Sequence, residues 1–152
     1  MIIRNKLEKS FGPVGTFAGV ILCIAGIILI YFYITGIIIL LLGAFVGFTS
    51  TSAIIDYHKK RIRLSTDIFG IIPTGTWIHV VPEMKLGIKE SNQTYGAYSQ
   101  GNRPLDIKRK DYRIILFDSD GKELMPLKKF DTLEPAMGEL DILIHQLGLT
   151  KG

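Results

Sequence analysis

Proton transfer or metal ligation would fall to His58, His79 and His145, yet these three histidines lie far apart in stretches of different character. Metal sites need His, Cys or carboxylate ligands at short, recurring spacings, and no such cluster is present. Asp118 and Asp120 ahead of Gly121, in DSDGK at 118–122, echo the start of a calcium loop. The remaining oxygen ligands and the closing glutamate are missing, so a tight turn is the better reading. Cys23 is the single cysteine, which rules out a disulfide within the chain. No phosphate-cradling glycine loop, nucleophile elbow or HExxH helix occurs. Trp77 reads most simply as a core aromatic. The side-chain chemistry therefore predicts no enzyme and no cofactor or metal.

Two sets of residues remain, and both would bind rather than react. One lies in SNQTYGAYSQGNRP, residues 91–104, a polar stretch without apolar periodicity that reads as the longest loop. Its Tyr95, Tyr98, Asn102 and Arg103 suit contact with a protein partner. The equal alternative is a surface loop with no role. The other set is basic: Lys59, Lys60, Arg61 and Arg63 in YHKKRIR (57–63), joined by Lys108, Arg109, Lys110 and Arg113. Near an anionic leaflet each cation adds roughly 1 kcal/mol of attraction. Ordinary topology and solubility charge is the simpler reading of the same residues. The aromatics are not interleaved with these cations on one platform, so nucleic acid is not an expected partner.

The elements that carry these residues begin with a membrane anchor. Net charge is +4 over 152 residues, but Ser10 to Ile55 contains no Asp, Glu, Lys or Arg. Val14 to Ile34 and Ile37 to Ile55 are each about as long as the roughly 20 apolar residues that cross a bilayer. A turn near Ile34-Thr35-Gly36 divides them, with Gly36 breaking the helix. A cleaved signal peptide fits less well, because the first run is too long and lacks a small-x-small site. Arg4, Lys6 and Lys9 precede the spans and YHKKRIR follows them, while the turn is uncharged. By the positive-inside rule both termini are cytoplasmic. Tyr31, Phe32 and Tyr33 suit an interfacial belt.

GTFAG (15–19) and GAFVG (43–47) place Gly15, Gly19, Gly43 and Gly47 at close-packing spacing, with Gly26 between them. Folding the hairpin at residue 35 sets Gly26 level with Gly43 and Ala44, Cys23 with Gly47, and Gly19 with Ser50 and Thr51. The stripes are therefore expected to pack within one chain, with homodimerisation as the less favoured use. No Asp, Glu, Lys, Arg or His lies inside either span, which argues against a transporter site, ion pathway or proton relay.

Beyond the spans the period becomes two. Ala53–Tyr57 is a short run that reads as a first strand, His58-Lys59-Lys60 turns, and Ile62, Leu64, Thr66 and Ile68 alternate with polar neighbours as a second. Thr74–Val81, Met84–Ile88, Leu105–Ile107, Tyr112–Phe117 and Glu123–Leu127 follow as strands. Leu133, Ala136, Met137, Leu140, Leu143, Ile144 and Leu147 mark one helix face, with a capping box at Asp131 and Glu134 and a stop at Gly148. The predicted fold is α+β: residues 1–55 as N-terminal segment and transmembrane hairpin, then 56–152 as a cytoplasmic domain. About seven antiparallel strands closed by an amphipathic helix match a pleckstrin-homology-like (PH-like) sandwich or barrel.

With its two N-terminal spans, IIDYHKKRIR, DIFGIIPTGTW and the closing helix, the chain resembles small bacterial membrane proteins that carry a PH-like domain. The resemblance implies a fold and an anchor in the bacterial inner membrane, and no catalytic residues. The expected function is a non-enzymatic scaffold or accessory subunit whose PH-like domain binds another membrane protein or complex. The alternative is recognition of anionic membrane lipids by the basic set.

Overall fold

Ile2–Lys9 alternates exposed and covered positions, buries Leu7, and forms strand β1 instead of a charged tail ahead of a span. A computed structural model of the chain describes residues 1–98 and 104–152, and the side chains outside 93–109. The fold is α+β: the described residues form three helices and nine strands, and their sheets are antiparallel except for one short parallel pair. Two compact units result, Met1–His79 and Val80–Gly152. The boundary expected at 55/56 instead falls within a strand.

In the first unit, β1 is followed by α1 (Gly12–Ile30), α2 (Thr35–Phe48) and β2 (Ser50–Asp56). β1 and β2 are antiparallel neighbours, registered from Ile2 opposite Asp56 to Lys9 opposite Ser50. The helical pair thus occupies the place of the turn in a β-hairpin. Across its neck Ser10 N–H donates to Thr49 O at 3.2 Å. The second apolar run was expected to stay helical to Ile55 but leaves the helix at Thr49. Its TSTS segment is rich in hydroxyl side chains that compete with helical bonding. The Thr49 hydroxyl bonds back to Phe45 O, and Ala53, Ile54 and Ile55 are then buried in β2.

The chain reverses about two residues earlier than predicted, with Tyr33 N–H closing onto Leu29 O at 2.7 Å. Gly36, expected to break the helix, lies inside α2 and packs against the backbone of Leu29 and Ile30. Gly19 meets Gly43 and Gly47, and Gly26 meets Leu40. The small stripes do face each other, displaced from the predicted pairing by that earlier turn. A Cβ on Gly26 would lie 2.6 Å from Leu40 N, and one on Gly43 would lie 2.6 Å from Cys23 N. Gly15 sits at the edge, near Phe11 and Val46. Outside this seam the large side chains are uncovered, among them Phe17, Ile27, Ile38 and Leu42. α1, at 19 residues, is long and apolar enough to cross a membrane, while the apolar α2 is shorter at 14.

β3 (Arg61–Ile68) pairs with β2 along its length. β4 (Ile72–Thr74) and β5 (Trp77–His79) pair with its opposite ends. A single strand was expected over 74–81. Gly75, at φ +125° and against the Leu64 carbonyl, interrupts it.

The second unit contains β6 (Lys85–Tyr98), β7 (Pro104–Phe117), β8 (Glu123–Phe130), α3 (Leu133–Leu147) and β9 (Thr150–Lys151), in sheet order β8-β7-β6-β9. DSDGK turns as predicted, with Gly121 at φ +77°. The expected loop does not hold over 91–98, which is strand, in register with 104–111. β8 pairs β7 only from Tyr112 to Phe117, and β9 pairs β6 only at Lys85 and Leu86. The outer part of β6 and β7 is therefore a two-stranded ribbon with no third strand among the described residues. Ala136, Leu140, Leu143 and Leu147 of α3 are buried, and the helix packs on β6, β7 and β8. Met137 and Leu133 of the predicted face stay exposed. The capping box does not form, since Thr132 is the N-cap and makes no side-chain cap bond. Gly148, at φ +69°, ends the helix as expected.

Gly43→Val forces branched carbon into the α1 backbone, an overpacking that costs about 1–3 kcal/mol. The full chain in detergent should melt earlier by circular dichroism, whereas Ile38→Val on the exposed side of α2 should melt like the parent.

Candidate functional site

Tyr57–Lys60 turns from β2 into β3, with Lys60 at φ +43°. Lys59 and Lys60 are exposed, but the two arginines of YHKKRIR are engaged within the first unit. Arg61 Nε reaches Asp56 Oδ2 at 3.1 Å. The guanidinium carbons of Arg61 and Arg63 lie 4.3 and 4.8 Å from the centre of the Trp77 ring. Register explains the stack, because Trp77 on β5 stands directly opposite Arg63, and His79 opposite Arg61. Arg63 Nε is buried without a hydrogen-bond partner among the described residues, as suits a guanidinium held by a ring face. Trp77 is thus half-buried beneath two cations, where a plain core aromatic was expected.

The rest of the basic set belongs to β7 in the second unit. Lys110 Nζ pairs with Glu90 at 3.3 Å, and Arg113 Nε with the buried Asp111 at 2.6 Å. The side chains of Lys108 and Arg109 lie outside the described residues. Of the partner-binding candidates, Tyr95 and Tyr98 fall on the β6 strand of the ribbon, opposite Ile107 and Pro104. Asn102 and Arg103 lie outside the described residues. His58, His79 and His145 are exposed on separate elements. Among the described residues no group of three His, Cys, Asp or Glu could hold a metal ion.

YHKKRIR also stands elsewhere than expected. It was read as directly following the second span, but all of β2 intervenes. That strand of seven residues places the turn about 20 Å from the helix end. A Debye length at physiological salt is about 8 Å. Lys6 and Lys9 are the basic residues of β1 nearest the helices.

At the helix end itself, Lys6, Leu7, Glu8, Lys9, Phe48, Ser50 and Gly70 line an open cleft of about 400 Å³. Phe45 of α2 meets Phe11 edge-on at 5.7 Å and Phe69 of the β3–β4 turn at 5.9 Å. Just inside the sheet, Asp67 is buried and accepts hydrogen bonds from the Ser52 hydroxyl and, at 3.0 Å, the Ser65 hydroxyl. This junction went unread in the sequence. The alternation in IIRNKLEK was a signal for β1, masked by its resemblance to a basic flank.

Comparison of the chain with protein-family models, curated proteins and solved structures yields no match.

Burial raises the Asp56 carboxyl, but the Lys59 backbone N–H, the hydrogen bond and charge of Arg61, and the His58 backbone N–H outweigh it. Its pKa therefore lies below the ordinary 3.8. A carboxylate so shifted stabilises the fold above the unfolded value and loses that contribution as pH falls through the folded one. Asp56→Asn should lower the melting temperature at pH 7 and flatten its fall below pH 3.8, followed by the fluorescence of the single tryptophan. Trp77→Ala should cost about 2 kcal/mol from lost burial and two cation–π contacts. Urea unfolding of the full chain in detergent, followed by circular dichroism, checks it.

Proposed function

We propose that the chain is a non-enzymatic membrane protein in which α1 and α2 cross the bilayer as a hairpin. Its β-rich part stands on one side as a binding module for a protein partner, as a scaffold or accessory subunit of a larger membrane complex. The observation that carries this reading is the inverted packing of the helical pair. Gly19, Gly26, Gly36, Gly43 and Gly47 are its buried residues, while its large apolar side chains face outward. Water would penalise that surface heavily, and lipid would not. α1 spans about 28 Å, close to the hydrocarbon thickness of about 30 Å. The shorter α2 is accommodated by tilt and local thinning.

Both helix ends join the sheet, so β1 to β5 lie on one side. Arg4, Lys6 and Lys9 against an uncharged Tyr31–Gly36 turn support a cytoplasmic side for these strands in a bacterial inner membrane. Antiparallel strands closed by a C-terminal helix support the PH-like reading. The two-stranded ribbon of β6 and β7 supports protein binding, because its outer strand edges carry main-chain groups open to pairing. Tyr95 and Tyr98 on β6, together with Asn102 and Arg103, would give specificity. The alternative, anionic lipid binding through Lys59, Lys60, Arg61, Arg63, Lys108, Arg109 and Lys110, has less support. Arg61 and Arg63 are committed to Trp77, and the turn stands far from the helix end.

Affinity capture of the full chain from membranes in mild detergent, followed by mass spectrometry, tests the proposal. A stoichiometric membrane protein should co-purify with the parent and be lost with Tyr95→Ala/Tyr98→Ala. Recovery of the chain alone contradicts the partner-binding role.

A further inference from the structure

The β3–β4 turn breaks the usual composition of a hairpin tip. Residues 68–72 read Ile-Phe-Gly-Ile-Ile, where polar turn formers are the rule. Phe69 and Gly70 take consecutive positive φ values, +54° and +70°. That geometry is ordinarily given to Asn-Gly or Gly-Gly, and a bulky aromatic is disfavoured there. Ile71 N–H donates to Ile68 O at 3.2 Å, so the turn is closed and defined. Ile71 is nonetheless 78% exposed and Ile72 55%.

Position gives this composition a reason. The register runs Lys9–Ser50–Asp67 across β1, β2 and β3, and Ile68 pairs with Ile72. The turn therefore projects from the same end of the sheet as the helical pair. Phe69 packs its ring on Phe45 of α2, and Gly70 lies against the Phe48 carbonyl. Phe48 is itself 54% exposed. An apolar surface thus continues from the outer side of α2 onto the tip of the turn. The exposed Lys6 and Lys9 border the adjoining cleft, at the level where phosphate head groups would lie beside an embedded helix.

Resting on the membrane reading above, we propose that Phe69–Ile72 is a wedge that inserts into the bilayer interface beside α2. Ile71 and Ile72 enter the acyl boundary, and Lys6 and Lys9 contact phospholipid phosphates. The occupant is lipid because the turn is continuous with the helical surface and is flanked by cations. The wedge supplies a third point of contact and fixes the inclination of the first sheet to the membrane plane. The strained Phe69 is the hinge pin: its ring braces the turn against the helix.

The test uses the full chain in a Cys23→Ala background, reconstituted into vesicles of zwitterionic and anionic phospholipid. An environment-sensitive fluorophore is placed in turn at Ile71→Cys, Leu22→Cys and Lys60→Cys, and quenched with lipids bearing nitroxides near the head group for Ile71→Cys and Lys60→Cys and deep in the acyl chain for Leu22→Cys, which lies midway along α1. The Ile71→Cys label should emit to the blue and be quenched at least about twofold more than the Lys60→Cys label. The Leu22→Cys label reports whether α1 is embedded. Quenching at Leu22→Cys with a water-like signal at Ile71→Cys overturns the wedge and leaves the membrane reading standing. Blue-shifted but unquenched emission at Ile71→Cys means that protein covers the turn, which also overturns it. If Leu22→Cys is unquenched as well, the membrane reading fails and the wedge falls with it.

Discussion

Pairing of β1 with β2 is the constraint on which the first unit depends. It takes a segment that would otherwise be a tail and turns a pair of apolar helices into the loop of a β-hairpin. From Lys9 opposite Ser50, both helices must leave and re-enter the sheet at one point. Ser10 to Thr49 closes the neck, and Phe11, Phe45 and Phe69 fill the space beside it. The same register sends the β3–β4 turn toward the helices and YHKKRIR away from them.

The two halves of that unit are held together by different physics. The sheet buries Leu7, Ala53, Ile54, Ile55 and Ile62, and so draws on the hydrophobic effect. The helical pair buries glycines and leaves its apolar bulk outside, so its cohesion comes from close backbone approach. Gly36 shows the difference well. In a soluble helix it would be a weak point, yet here it lets α2 start against the backbone of Leu29 and Ile30. Packing of this kind suits surroundings as apolar as the side chains facing them, which is why it supports the proposed membrane location. Stacked over Trp77, Arg61 and Arg63 hold β3 to β5, and Arg61 is also paired with Asp56.

Legibility in the sequence followed the strength of local pattern. The strand at 61–68, the turn at 118–122 and the helix ending at Gly148 were readable because alternation, DSDG and a three-four repeat are each short-range signals. β1 was missed because three cations in ten residues look the same ahead of a span as along an exposed edge. Ala53, Ile54 and Ile55 were read both as the end of the second span and as the start of a strand, because they are equally apolar as lipid-facing helix and as buried strand; the structure gives them to β2. The ribbon over 91–98 has a pairing continued from Lys85–Glu90 opposite Tyr112–Phe117, with no apolar pattern of its own to announce it. Of the candidate site residues, the glycines were legible because their spacing is itself the packing rule. The basic set was only half legible, since the Trp77 stack depends on register between strands more than ten residues apart.

The central claim is that a helical pair, clamped at both ends to one end of a sheet, crosses the membrane and returns. Its most direct test is cysteine accessibility in sealed, right-side-out membrane vesicles. Single cysteines at Tyr33→Cys and Lys60→Cys, in a Cys23→Ala background, are exposed to a membrane-impermeant maleimide before and after lysis. The account predicts that Tyr33→Cys is labelled in intact vesicles and Lys60→Cys only after lysis. Labelling of both positions from the same face would contradict it, because the turn between the helices and the turn between β2 and β3 would then share one side.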